Sequence, residues 1–227
     1  MLMTAQKSNG FWIEENIFSE DECLRLLDSL SCSVPKRSRA GIRNLMKDST
    51  VAAFASDRRL LEIAKYAIGS NRAVPYRAIL FEKSINAKWL VAWHQDKSLP
   101  IERSFESYEW GPWSRKAGIN YANAPAWAFT RVVGIRVHLD SSRNDNGPLR
   151  LIPRSHLAGV MSEAEVLAYA HGHEACECHV KRGGVLAMHP LVVHSSTKPR
   201  SSEPRRVLHL EYSESLDLAP GIRLAIA

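Results

Sequence analysis

The sequence predicts an α+β protein. Helical periodicity is confined to the first third, short β-rich runs begin near Ala73, and the two patterns do not alternate as in a parallel βαβ layout. The 227 residues are 45% hydrophobic and 24% charged, with 12 Gly and 11 Pro. That composition builds a substantial core and excludes disordered, collagenous and low-complexity chains. One domain over 1–227 is expected at this length, with a helical part at 1–72 and a β core at 73–213.

The first helix starts at Ser19, where Glu22 completes a capping box, and Leu24, Leu26, Leu27 and Leu30 form its buried stripe. A second starts near Ser56, carries Leu60, Leu61, Ile63, Ala64, Ala67 and Ile68 at helical spacing, and stops at Gly69. Strands are expected at Tyr76–Lys83, Trp89–Trp93, Thr130–Leu139, Val185–Met188, Leu191–Val193 and Val207–Tyr212. Two insertions interrupt them. Residues 97–129 hold scattered aromatics among Gly, Pro and charges and read as an irregular lid or binding loop. Residues 155–184 hold a short helix opened by Ser162 with Glu165 three residues on, then a His/Cys-rich loop.

Lys and Arg number 30 against 24 Asp and Glu, a formal charge of +6. No run of five like charges concentrates it, so nucleic acid is not an expected partner. Cys23, Cys32, Cys176 and Cys178 are too few and too unevenly spaced for a disulfide framework and read as thiols in a reducing compartment. The N-terminus lacks a signal-peptide pattern, and no stretch approaches the roughly 18 apolar residues of a membrane span. A cytoplasmic protein without a membrane partner is expected; oligomeric state is not legible.

His94-Gln95-Asp96 ends an apolar strand, where alternation sends His94 and Asp96 the same way. His194 ends a second apolar run. Two imidazoles and one carboxylate on one side of a metal leave three positions open, which suits non-haem Fe(II) and O2, whereas structural zinc is closed by four ligands. A 2-oxo acid filling two of those positions needs a bidentate cation for its far carboxylate. Arg205 begins the next strand and is placed to supply it, and Ser196 shares a face with His194.

The motifs WHQD at 93–96, HLDSSRNDNGPLRLIPRSHLAG at 138–159, GGVLAMHP at 183–190, and HSS at 194–196 leading to Arg205 and Arg206 resemble the phytanoyl-CoA dioxygenase family of Fe(II)/2-oxoglutarate-dependent oxygenases. The resemblance covers roughly 74–213. It implies a double-stranded β-helix (jelly-roll, cupin-like) core with helices packed outside, and His94, Asp96 and His194 as catalytic iron ligands. It further implies that Arg205 and Ser196 hold 2-oxoglutarate, and that O2 is consumed as 2-oxoglutarate is decarboxylated to succinate and CO2. Because Asp96 is retained where halogenating relatives carry a small residue, hydroxylation of a small molecule is the expected reaction. The family's usual Pro-Gly-Ser-His reads Pro153-Arg154-Ser155-His156 here, which leaves the local turn open.

Arg77 and Lys83 share one face of their strand and are candidate cofactor contacts. Arg136 and His138 alternate with apolar neighbours and are candidate substrate contacts, as are Trp110, Trp113 and Lys116 of the aromatic insertion. Basic residues flanking that insertion favour a carboxylated or otherwise anionic substrate. Two rival readings stand beside this one: a cupin-like metal isomerase or lyase on a similar barrel, and a zinc-binding, non-enzymatic module using the His/Cys loop at 171–179.

Overall fold

The structure, a computed structural model, describes residues 8–33, 41–84 and 89–227. Its first helix, α1 (Glu20–Ser33), opens with the expected box: Ser19 N donates to Glu22 Oε2 at 2.7 Å and Glu22 N to Ser19 Oγ at 3.2 Å. Cys23, Leu26, Leu27 and Leu30 are buried, while Leu24 faces outward at 40% exposure, off the stripe assigned to it. Next come α2 (Ser49–Ala55), capped by Asp48, and α3 (Arg58–Ile68), which is capped by Asp57 and stopped by Gly69 in the left-handed region (φ 76°). Ser56 is therefore the C-cap of α2 and not the start of α3. The sequence reading did not separate α2 because its seven residues are too few to show a periodicity.

The main sheet has five antiparallel strands in the order β1 (Phe11–Glu14), β10 (Val185–Met188), β7 (Val132–His138), β12 (Arg205–Ser213), β2 (Val74–Lys83). A second sheet runs β3 (Val91–His94), β11 (His194–Ser196), β8 (Leu149–Leu151), β9 (Cys176–Cys178). Together they form a jelly roll, with a cavity lined from both sheets.

Alternation divides the main sheet into two chemistries. Its outer face carries Ala78, Leu80, Val133, Ile135, Val137, Val185, Ala187, Leu208 and Leu210, packed with Leu26, Leu27, Leu30, Leu60 and Ile63 of the helices. Its inner face carries Arg77 and Lys83 on β2, Arg136 and His138 on β7, and Arg205, His209 and Glu211 on β12, in register across the three strands.

Two expectations need correction. Residues 97–129 are not irregular: they contain a three-stranded sheet of β4 (Ser98–Ile101), β6 (Ile119–Asn123) and β5 (Trp113–Lys116), followed by the short α4 (Ala126–Phe129). The aromatics hold one another. Phe105 meets Trp110 and Trp113 edge-on at centroid distances of 5.7 and 5.3 Å, which draws these rings into a cluster of their own. Leu191–Val193 is a turn closed by Val192 N on His189 O; Pro190 at its head has no N–H for a ladder, and the strand begins at His194. Residues 155–184 hold a 3-10 turn, the helix α5 (Glu163–Gly172) with the expected Ser162–Glu165 box, and then β9. The remaining pair, β13 (Asp217–Ala219) and β14 (Ile222–Arg223), follows the core.

Candidate active site

His94 and His194 are register partners in the antiparallel pairing of β3 with β11. Each ring's Nδ1 lies on the carbonyl two residues back, Ala92 O at 2.9 Å and Val192 O at 2.8 Å. A carbonyl only accepts, so both Nδ1 atoms carry the proton and both Nε2 lone pairs are free. Those Nε2 atoms stand 3.7 and 3.6 Å from the two Asp96 carboxylate oxygens, too far for hydrogen bonds. The three ligand atoms lie within 4.8 Å of one another, the one such group of three among the described residues. Burial, then His94, pushes His194 down to about 3, so it is neutral. Burial works to raise the Asp96 carboxyl, but His194 and His94 outweigh it and hold it well below the usual carboxylate range. A neutral imidazole and a carboxylate are the forms that bind a cation, and this donor set fits a divalent iron.

Gln95, between two of these side chains, points the other way and pins the segment. Its Nε2 donates to Gly159 O and Leu191 O, each at 2.8 Å, and its Oε1 accepts from Met161 N at 2.8 Å. Ser155 does the same beside His194, with Oγ donating to Ile152 O at 2.7 Å and accepting from Val193 N at 2.8 Å. Arg154 before it has φ 65°, the conformation that glycine supplies at no steric cost. The turn is thus retained, with strain, although the glycine is replaced.

The cavity holds about 230 Å³ and is lined by His94, Asp96 and His194 together with Ser196, Arg205, Arg136, Arg77, Arg43, His209, Glu211 and an apolar wall that includes Phe81 and Trp89. Arg205 is 2% exposed, and its Nε and Nη1 find no hydrogen-bond partner among the described residues. Burial, with Arg136 nearby, pushes it down to about 9, still charged at neutral pH. Its neighbour Arg206 is committed elsewhere, to Asp140 through Nε at 2.6 Å and Nη2 at 2.9 Å. Lys83, in register with Arg205, donates to Ser196 Oγ and to Thr197 O.

Other sequence candidates are placed as follows. Arg77 lines the cavity and donates to Glu211 at 2.8 Å. Arg136 lines it too; His138 is buried at the end of β7, outside the lining, with both ring nitrogens unpartnered. Trp110 is buried among aromatics, Trp113 packs beside it, and Lys116 lies over the Tyr121 ring at 5.6 Å; none of the three lines the cavity. In the 171–179 loop His173 stacks on Tyr169 at 3.9 Å and burial pushes the Cys178 thiol up to about 12, so the residues do not converge on an ion. His209 and Glu211 were not singled out from sequence, although their alternation with Leu208 and Leu210 carried the signal; Gln95 carried none beyond its position.

A jelly roll whose cavity joins two histidines and a carboxylate to a buried unpaired arginine defines the Fe(II)/2-oxoglutarate-dependent oxygenases. Residues 7–207 match the phytanoyl-CoA dioxygenase (PhyH) family, and the chain belongs to it. Its cofactors are Fe(II), 2-oxoglutarate and O2. No curated protein sequence matches it significantly. Among solved structures, it is similar to EctD from S. alaskensis with 2-oxoglutarate and 5-hydroxyectoine: 22% identity, TM-score 0.70, covering 93% of this chain and 75% of that one. It is also similar to the epimerase SnoN from nogalamycin biosynthesis, at 16% identity and TM-score 0.67, covering 95% and 82%. The carbocyclase SnoK from the same biosynthesis gives 15% identity and TM-score 0.70, covering 92% and 81%. No helix among the described residues is long and apolar enough to cross a membrane.

Proposed function

We propose that this chain, working as one domain over 1–227, hydroxylates a small molecule at a mononuclear iron held by His94, Asp96 and His194. The observation that carries the reading is the meeting in one cavity of these three side chains with the buried, unpaired Arg205. When bound there, iron with O2 and 2-oxoglutarate supplies the oxidising power, giving succinate, CO2 and a hydroxylated product.

The protein's own residues do the positioning. Nδ1–H donation to Ala92 and Val192 fixes both imidazoles with Nε2 toward the ion, so the ligands need not reorganise when it binds. Arg205 receives the distal carboxylate of 2-oxoglutarate in a fork geometry that Lys does not offer, and Ser196, steadied by Lys83, adds a hydroxyl whose proton, now donated to Gly147 O, turns to that carboxylate. Asp96 fills the position that a halide needs, which favours hydroxyl transfer. The apolar wall of Phe81 and Trp89 limits water around the reacting centre.

The small molecules in the EctD and SnoN structures, 5-hydroxyectoine and nogalamycin RO, support a small-molecule substrate, and a cavity of about 230 Å³ shared with the cosubstrate limits how much of it is enclosed. The free thiols of Cys23, Cys176 and Cys178 suit a reducing, cytoplasmic setting. The test is the anaerobic visible spectrum of metal-free protein after Fe(II) and then 2-oxoglutarate. A charge-transfer band from chelation by the 2-oxo acid is expected. Iron uptake without the band removes the oxygenase reading, and absence of iron uptake removes the ligand assignment.

A further inference from the structure

A second buried guanidinium shares the cavity with Arg205. Arg136 is 6% exposed, its Nε has no partner among the described residues, and its Cζ lies 5.1 Å from the Phe81 ring centre. Arg136 starts on β7 and reaches across β12 to Phe81 on β2, so its head lies in the Phe81 row, one step from the row of Lys83 and Arg205. That step is two strand residues, roughly 7 Å. Neither cavity carboxylate forms an ion pair with it among the described residues: Glu211 is taken by Arg77, and Asp96, grouped with the two histidines, acts on Arg136 only through space. A buried guanidinium without a counter-charge is costly, and here two occur side by side. Burial pushes Arg136 down to about 10, which leaves it charged at neutral pH.

Two fixed cations one strand step apart, with the three ligand atoms in the same cavity, match a single five-carbon dianion better than two separate anions. We propose that Arg136 is the second anchor of 2-oxoglutarate, donating to the free oxygen of its metal-side carboxylate while Arg205 holds the distal one. This rests on the oxygenase reading above and moves Arg136 from the substrate to the cosubstrate. Its role is to position: with both ends of the dianion held, the keto acid head has one orientation at the ion, and the remaining open position is fixed relative to Phe81 and Trp89.

The experiment is anaerobic isothermal titration of Fe(II)-loaded protein with 2-oxoglutarate and with 2-oxopentanoate, which keeps the keto acid head but ends in methyl. Arg136→Met should weaken both ligands at least tenfold and by the same factor. Arg205→Met should weaken 2-oxoglutarate and leave 2-oxopentanoate within twofold. Arg136→Lys should recover part of the loss. The metal-free Arg136→Met protein should melt no lower than wild type, since a buried unpaired charge has gone, and this keeps a folding defect from mimicking the result. Arg136→Met binding 2-oxoglutarate within twofold of wild type overturns the proposal, as does a loss confined to 2-oxoglutarate, which would place Arg136 at the distal end. Wild-type protein that takes iron but no 2-oxoglutarate overturns the oxygenase reading as well.

Discussion

The imidazoles of His94 and His194 stand with ring centroids 4.1 Å apart, brought together by two strands a hundred residues apart in the chain. The pairing of β3 with β11 is thus itself the device that assembles the proposed metal-binding face, and Asp96, just beyond β3, closes it. Asp96→Ala should leave the fold intact, abolish iron binding in an equilibrium titration and stop succinate formation. Succinate formation at the wild-type rate would remove Asp96 from the mechanism.

Ser155 tests the support beneath His194. Its hydroxyl is buried and satisfies Val193 N, so Ser155→Ala leaves that N–H without its partner at a cost of about 1–3 kcal/mol. Both the melting temperature and the iron affinity should fall, since the displaced backbone carries His194. A lower melting temperature with unchanged affinity would confine Ser155 to the turn.

Arg154 occupies a left-handed conformation that disfavours every residue with a Cβ. Arg154→Gly should stabilise the protein by about 1 kcal/mol. For a chain of this size that raises the melting temperature by about 2–4 °C in calorimetry, with activity unchanged.

Gly134 lies in mid-strand on β7 with no unusual backbone angle, and a Cβ there would approach His209 Cε1 to 2.9 Å. Gly134→Ala should therefore rotate the His209 ring away from Glu211, now 3.3 Å from its Nε2, and lower turnover. Stability should hold, because alanine suits a strand better than glycine. Parallel melting curves and turnover assays separate the two effects.

Acid should destabilise the metal-free protein in a defined window. Burial, then His156, pushes His189 down to about 4 from the ordinary value of 6.5, and its Nδ1 accepts from Leu191 N. Below pH 6.5 the unfolded chain takes up a proton that the folded one refuses, so stability falls from pH 6.5 to about 4 and then this contribution levels off. His138 and His194, also pushed down by burial, act with the same sign. Denaturant unfolding at several pH values should show the decline, and His189→Asn should make it shallower.

The residues proposed to hold iron and 2-oxoglutarate, and three of the five α-helices among the described residues, were legible because each rests on a local rule, strand alternation or a capping box, or on the motifs that resemble the family's. What escaped depends on long-range geometry. Phe105, Trp110 and Trp113 look alike in sequence whether they close over a substrate or pack on one another, and only their edge-on contacts decide. Arg205 and Arg206 are adjacent identical residues, distinguished by Asp140, which lies 66 positions from Arg206. The turn at Leu191–Val193 is apolar enough to pass for a strand, and its backbone pairing is set by His189 and Gln95.

The two-sided chemistry of β12 has a consequence for how this chain changes over generations. Arg205, His209 and Glu211 face one way and Leu208 and Leu210 the other, so a one-residue deletion between Arg206 and Leu208 would present charged groups to the helices and leucines to the iron. Substitutions can accumulate along this strand one at a time, but a gain or loss of a single codon there exchanges its two faces at once. Length variation among descendants of this sequence should therefore be rare inside 205–213 and concentrated in the exposed segments such as 102–109 and 171–175.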